Sequence, residues 1–120
     1  MGLTTQSMSI FAALVAGSEV EPTAIAVGNG STAFTSGDTA LDSETDRNYI
    51  DTYELVTAGQ CTMVANWSPT DISGTILTEY GAFNSITAGI MINREVLAGS
   101  FVFDGESELQ IQDTIRFTIA

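Results

Sequence analysis

Carboxylates are the only abundant reactive side chains in this sequence. Fifteen Asp and Glu stand against three Arg, with no Lys, no His and one Cys. Without histidine the chain lacks the usual general base near neutral pH and the commonest metal ligand. Cys61, in Gln60-Cys61-Thr62-Met63-Val64, has no imidazole to draw off its proton, so it reads as a quiet core thiol rather than a nucleophile. A lone cysteine also forms no internal disulfide.

Two acidic runs have the spacing of cation loops. Asp42, Glu44 and Asp46 alternate as in a calcium loop, but Arg47 stands where the sixth-position glycine belongs and Tyr53 where the twelfth-position glutamate belongs. Asp104, Glu106 and Glu108 form a second run beside a turn. Both read as solvated acids that bind divalent cations weakly at most. Gly28-Asn29-Gly30 follows a strand but lacks the third glycine, lysine and helix start of a phosphate loop, and reads as a turn. The expectation is therefore no catalytic, cofactor or metal site and no enzyme activity. A metal-assisted hydrolase built on the acidic runs is the poorest of the readings, because an isolated carboxylate without a partner base is weak acid–base machinery.

Pairing of opposite charges is the better guide. Residues 77–96 fold on paper into an antiparallel hairpin turning about residues 85–88. Leu77 then lies opposite Val96, Glu79 opposite Arg94, Gly81 opposite Ile92 and Phe83 opposite Ile90, with all eight on one face. That face is apolar except for one acid and one base, so Glu79 and Arg94 are predicted to form a structural ion pair that fixes the hairpin register. Glu44 and Arg47, three apart, would face each other on a helical turn and give a possible second pair. Arg47 alternatively reaches into the sheet toward another acid.

The elements that must position these groups are mostly strands. Residues 4–16 read as a helix, with Leu3, Ser7, Ile10, Phe11, Leu14 and Val15 on a stripe of period 3.6, Thr4 or Thr5 as its cap and Gly17 as its end. It packs on its own sheet or joins a bundle with copies from neighbouring subunits. Residues 23–27 form a short apolar strand, 29–38 a loop, and 42–51 an acidic connector with room for one helical turn. Residues 53–67 are one long strand, or two with a bend at Gly59. Residues 68–71 are a turn, 72–83 and 89–97 the hairpin, 100–103 a short strand, and Asp104-Gly105 a turn. Leu109, Ile111, Ile115, Phe117 and Ile119 share one phase of a last strand, which Asp113 breaks as if at a bulge or a strand end. Strands at short spacing joined by turns predict a mainly β fold, an antiparallel β-sandwich (jelly-roll-like) with one N-terminal α-helix. A single domain over 1–120 is expected, with the helix in 1–17 and the sandwich in 22–120.

Composition narrows the partners. With a net charge of -12 no basic patch can neutralise phosphates, so nucleic acid and anionic membrane surfaces are excluded as partners. Residues 10–16 are too short to span a bilayer, and residues 1–9 carry no basic side chain, so neither membrane insertion nor a signal peptide is expected. Lysine-free acidity with ordinary hydrophobicity suits a protein built for high salt, where self-repulsion is screened within a few ångströms.

Several segments together carry a resemblance: Thr23-Ala-Ile-Ala-Val-Gly-Asn-Gly-Ser-Thr32, Thr39-Ala-Leu-Asp-Ser-Glu-Thr-Asp-Arg47, and Thr78-Glu-Tyr-Gly-Ala-Phe83 with Gly89-Ile-Met-Ile-Asn-Arg94. Their order and spacing resemble a family of small structural (virion) proteins of tailed viruses, or phages. Its members read "ia-v-G-x-G", "a-L-x-x-E-x-x-R", "x-E-x-G-L-F" and "G-x-m-x-x-R", and finish on a strand alternating Thr with apolar residues, as Thr114-Ile-Arg-Phe-Thr-Ile119 does. The likeness spans the chain from about residue 3 to its end. Ala82 departs from the common leucine, and the acidity and missing lysines depart in the direction of a halophilic host.

The resemblance implies a virion protein without enzymatic activity, acting as copies assembled on the particle beside other virion proteins of the capsid, neck or tail. A capsid decoration or turret protein is the first expectation, and a tail or fibre-associated subunit the alternative. A host-surface-binding module is a further rival. It would use the loop at 29–38, with Phe34 and Trp67 exposed to a receptor.

Overall fold

The computed structural model describes residues 2–17, 21–57, 59–72 and 74–117. Among the described residues there are eight strands: β1 (Gly2–Leu3), β2 (Ala24–Gly28), β3 (Glu44–Tyr49), β4 (Thr52–Thr57), β5 (Gln60–Trp67), β6 (Ile76–Phe83), β7 (Met91–Val102) and β8 (Leu109–Arg116), most of them rich in β-branched and other apolar residues. One helix, α1 (Ser7–Val15), lies between β1 and β2. The strands make two antiparallel sheets, ordered β1-β7-β6-β2-β3 and β4-β5-β8. Apolar side chains from both sheets, among them Ile25, Val27, Met63, Trp67, Ala82, Ile92 and Ile115, meet in one core.

The N-terminal segment differs from the predicted helix over 4–16. Gly2 and Leu3 pair with Arg94 and Asn93 as an edge strand, which delays the helix to Ser7. Thr4 is the pivot. Its hydroxyl donates to the Met91 carbonyl and accepts from the Ser7 amide at 3.3 Å. The helix closes at Gly17, whose φ is +81°. Of the predicted stripe, Ile10 and Ser7 are buried, whereas Leu14 and Val15 are exposed.

The acidic connector is strand, not helical turn. β3 pairs with β2, and one extra residue, Thr45, sits between the Gly28–Glu44 and Val27–Asp46 partners. That bulge explains how Glu44 and Arg47 still meet: residues three apart on a regular strand face opposite ways, and one bulge residue restores a common face. Residues 53–67 resolve as the two strands β4 and β5 of a hairpin. The short strand expected at 100–103 is the far end of β7.

The β6–β7 hairpin forms, but in a different register. Glu79 pairs with Val96, Gly81 with Arg94 and Ala82 with Asn93, while Phe83 pairs with Met91. Glu79 and Arg94 thus lie on a diagonal, not directly opposite. Ile92 is the extra residue beside Ala82, and a larger irregularity separates the Glu79–Val96 pair from Leu77–Phe101. The eight predicted positions therefore do not share a face. Leu77 and Ile92 turn into the core between the sheets, whereas Phe83 joins Ala26, Leu41 and Met91 in a separate cluster.

Asp113 is also placed differently from expectation. It sits in the middle of an unbroken β5–β8 ladder opposite Met63, fully buried, so the phase break marks a carboxyl in the core and not a bulge or strand end. Ile119 lies outside the described residues.

Candidate functional site

The charged residues singled out by spacing converge under the loop that joins β2 to β3. Glu79 and Arg94 are each about 1% exposed. The Arg94 Nε donates to Glu79 Oε1 at 3.0 Å. Glu79 accepts three more hydrogen bonds, from the backbone amides of Gly30 (2.8 Å), Ser43 (2.9 Å) and Asp42 (3.0 Å). A buried carboxylate needs donors on all sides, and these four supply them.

Gly28 and Gly30 are there because nothing larger fits. A Cβ on Gly30 would stand 2.4 Å from Glu79 Oε2 and 2.2 Å from the Asp42 Cβ, and one on Gly28 would stand 2.3 Å from the Ser43 carbonyl oxygen. The Gly-x-Gly spacing lets the loop backbone close over the carboxylate. It is not the turn expected from the sequence but the end of β2 running into an irregular loop, whose backbone hydrogen-bonds an acid of its own chain.

Arg94 gathers two further acids from the same loop. Its Nη1 reaches Asp38 Oδ2 at 3.1 Å, its Nη2 reaches Asp42 Oδ2 at 3.3 Å, and Nη2 also donates to the Thr32 carbonyl at 2.8 Å. Burial works against the charged guanidinium, but the Glu79 hydrogen bond and charge, with Asp42 and Asp38 behind them, outweigh it and hold its pKa above the ordinary arginine value. Asp38 is held below the usual carboxylate range first by the Thr35 amide, and Asp42 first by Thr32. Neither Asp38 nor Asp42 was singled out as a partner of Arg94. The available signal was the Gly-x-Gly pair, which marks a loop pressed against something.

Arg47 completes the arrangement from the neighbouring strand. It grips Glu44 with two hydrogen bonds, Nη2 to Oε1 at 2.7 Å and Nε to Oε2 at 2.9 Å. Its Nη1 donates to the Ser85 and Ala88 carbonyls in the β6–β7 turn, and its guanidinium carbon stands 3.7 Å from the centre of the Phe83 ring. Arg47 therefore pairs with Glu44, on a bulged strand and not on a helical turn, and where the alternative placed a second acid it meets two carbonyls and an aromatic ring.

This chemistry holds a structure together; it has no capacity left for proton transfer. Every oxygen of Glu79 and every nitrogen of Arg94 is engaged, and the guanidinium occupies the place a cation would take among Asp38, Asp42 and Glu79. Among the described residues no group of three or more acids and Cys is arranged to hold a metal ion. Asp104, Glu106 and Glu108 are exposed, and Cys61 is half-buried. No described helix is long and apolar enough to cross a membrane.

A second polar pair crosses between the sheets. Asn93 Nδ2 donates to Asp113 Oδ1 at 2.9 Å, and Asn93 Oδ1 accepts the Ala82 amide that the β7 bulge would otherwise leave unpaired. Asp113 Oδ2 has no hydrogen-bond partner among the described residues. Burial pushes the Asp113 carboxyl up to about 6, with the Asn93 hydrogen bond pulling the other way and the Glu95 charge adding to the rise.

Of the two aromatics considered for receptor contact, one is withdrawn into the core and the other is partly covered. Trp67 is buried with its Nε1 donating to Asp46 Oδ2 at 2.9 Å, and Phe34 is half-buried against Gly2. No protein-family model matches this chain, and no curated protein shows significant similarity to it.

Proposed function

We propose that this chain is a non-enzymatic structural component of a tailed-virus particle: an oligomeric accessory subunit, such as a capsid decoration or turret protein, of a virus with a halophilic host. One observation carries the reading. The motifs behind the family resemblance are scattered over more than sixty residues of sequence, yet Gly28, Gly30, Leu41, Glu44, Arg47, Glu79, Phe83 and Arg94 all belong to one clamp and the apolar cluster beside it. Motif residues that serve only to fix a loop on a sheet are what a protein acting through shape requires. On this reading the two sheets follow a jelly-roll-like path, the partners are copies of the chain with capsid, neck or tail proteins, and the acidic surface keeps the assembly soluble in brine. A tail or fibre-associated subunit would use the same clamp. A receptor-binding role for the loop is less well supported, because its backbone is tied to Glu79 and its one aromatic is packed against Gly2.

The test is mass spectrometry of virus particles purified on a density gradient from the culture that carries the gene. The chain is expected in the particle band at a fixed ratio to the major capsid or tail protein. Its absence from particles, with the soluble protein present in the same cells, would overturn the proposal.

A further inference from the structure

The clamped loop carries a pair of residues that can react with each other. Of the chain's asparagines only Asn29 is followed by glycine; the others precede Tyr49, Trp67, Ser85 and Arg94. In an Asn-Gly pair the glycine backbone nitrogen can attack the asparagine side-chain carbonyl carbon. No β-carbon hinders the approach, and glycine leaves the backbone free to turn. The new N–C bond closes a cyclic imide. The bond to the side-chain nitrogen breaks, and ammonia leaves with the proton that the backbone amide gives up. Water then opens the ring, either to aspartate or to isoaspartate, in which the main chain runs on through the former side-chain carbon. The reaction needs water and no other reagent.

The structure presents one half of this pair and withholds the other. Asn29 is exposed, whereas Gly30 is buried. The Gly30 N–H donates to Glu79 Oε2 at 2.8 Å, so the attacking nitrogen is turned toward a carboxylate beneath the loop. Attack takes that nitrogen out of its hydrogen bond and brings it against the Asn29 side chain, which requires the planar peptide unit between the two residues to turn as a body. Contacts on both sides oppose the turn. The Asn29 N–H donates to the Ser43 carbonyl at 3.0 Å, and the Gly30 carbonyl accepts from the Thr78 hydroxyl at 2.5 Å. Gly30 itself has little room to swing, since a Cβ there would stand 2.2 Å from the Asp42 Cβ.

Glu79 is badly placed to act as the base that frees the nitrogen. Its Oε1 is paired with Arg94 at 3.0 Å, and its Oε2 also accepts from the Ser43 amide at 2.9 Å. Taking up a proton would leave the buried guanidinium without its nearest counter-charge. The carboxylate locks the amide instead of activating it.

We propose that Asn29 is a self-modification site governed by the Glu79–Arg94 clamp. The closed loop keeps the asparagine intact, and a loop that opens lets it cyclise and lose ammonia. The change runs one way. Isoaspartate lengthens the main chain by one carbon just before Gly30, so the Gly30 amide no longer returns in register to Glu79. Either product also adds a carboxylate to a loop that already holds Asp38 and Asp42 around Arg94. The loop thereby keeps a permanent record of having opened.

The experiment incubates the full chain at mildly alkaline pH, folded in molar salt and, in parallel, unfolded in denaturant. Aspartate and isoaspartate at residue 29 are followed by peptide-mapping mass spectrometry. The folded parent is expected to deamidate at least about tenfold more slowly than the unfolded chain, as for a site that reacts only through local opening. Glu79→Gln removes the anionic acceptor and is expected to raise the folded rate at least about tenfold. Ile115→Ala, a cavity in the core of the other sheet, is the control for lost global stability and is expected to stay close to the parent. Thr78→Val removes only the hydroxyl that holds the Gly30 carbonyl and is expected to fall between the parent and Glu79→Gln. Modified parent, separated by ion exchange on its extra charge, is expected to melt below the unmodified chain.

A folded parent that deamidates as fast as the unfolded chain overturns the proposal. So do equal rates in Glu79→Gln and Ile115→Ala, which would tie the reaction to global unfolding. If Glu79→Gln does not fold, Thr78→Val decides, and a rate equal to the parent's overturns the proposal. A modified chain that melts with the parent overturns the one-way consequence.

Discussion

Glu79 and Arg94 meet at 3.0 Å on the diagonal of the β6–β7 ladder, and the offset is what allows the pair to hold a loop as well as a hairpin. From the diagonal position the carboxylate of Glu79 turns one oxygen toward Arg94 and the Asp42 amide and the other toward the amides of Gly30 and Ser43. The guanidinium then has two nitrogens free for Asp38, Asp42 and the Thr32 carbonyl. The hairpin and the loop over residues 28–43 share a single electrostatic centre, so they should lose structure together.

Removing one partner should therefore be costly. Arg94→Met leaves Glu79 and its neighbouring acids without their cation, and breaking a buried pair in this way costs about 3–5 kcal/mol. The melting temperature should drop by roughly 10–20 °C for a domain of this size. Glu79→Gln combined with Arg94→Met should cost less than the sum of the two single changes, since the second change no longer strands a charge. Thermal melts of all three variants in molar salt check this. Strict additivity would mean that the two groups act independently.

Gly30 tests the fit of the loop itself. Gly30→Ala places a methyl 2.4 Å from Glu79 Oε2 and 2.2 Å from the Asp42 Cβ, so the loop backbone must lift off the carboxylate. A loss of about 1–3 kcal/mol is expected, as for other overpacked sites. Gly37→Ala in the same loop meets nothing within 4 Å and serves as the matched control, with little change expected. Hydrogen exchange at the Gly30-neighbouring and Ser43 amides should rise in the first variant and not in the second.

Much of this centre was legible in the alternation of residues. Glu79 and Arg94 have the parity to share a face, and a charged pair within an apolar stretch is rarely left to solvent. The register was not legible, because it is set by an extra residue at Ile92 and a wider break beyond Glu79 that nothing in local composition announces. Glu44 and Arg47 were paired for a helical reason, and the structure pairs them through a strand bulge at Thr45. Asp38 and Asp42 were out of reach, because which acids a loop brings to a cation depends on how the loop folds back. Asp113 looked like a punctuation mark within β8; its partner Asn93 lies on another sheet, and only the tertiary fold brings them together.

The surface charge gives a prediction about salt. Twelve units of net negative charge repel one another in the native state, and in molar salt that repulsion is screened within about 3 Å. The melting temperature should rise steadily from dilute buffer to molar KCl, and sucrose at matched osmolality should not reproduce the rise. Arg94→Met should keep most of this dependence, since the clamp is buried and screened less than the surface.

Asp113 gives the clearest dependence on pH, and its sign is opposite to that of the clamp. Its carboxyl is raised to about 6 in the folded chain, above the ordinary aspartate value, so it resides in the core at no ionic cost while protonated. Below about pH 4 it is neutral in both folded and unfolded states. As pH rises through about 6 the folded chain must ionise a carboxyl whose Oδ2 has no described partner, and up to about 3 kcal/mol of stability is lost. Asp38 and Asp42, held below their ordinary values, contribute stability that disappears only as pH falls through the acidic range. Stability should therefore peak in mildly acidic solution. Asp113→Asn should raise the melting temperature at pH 7.5, flatten the slope between pH 4 and 7, and merge with the parent near pH 4. Tyr80 offers a second readout. Its phenol is pushed up to about 12 by burial first and then by the charges of Asp113 and Glu95, so it should ionise at lower pH in the variant. Parallel melting curves for parent and variant across the whole range would mean that Asp113 is already neutralised by a contact other than Asn93.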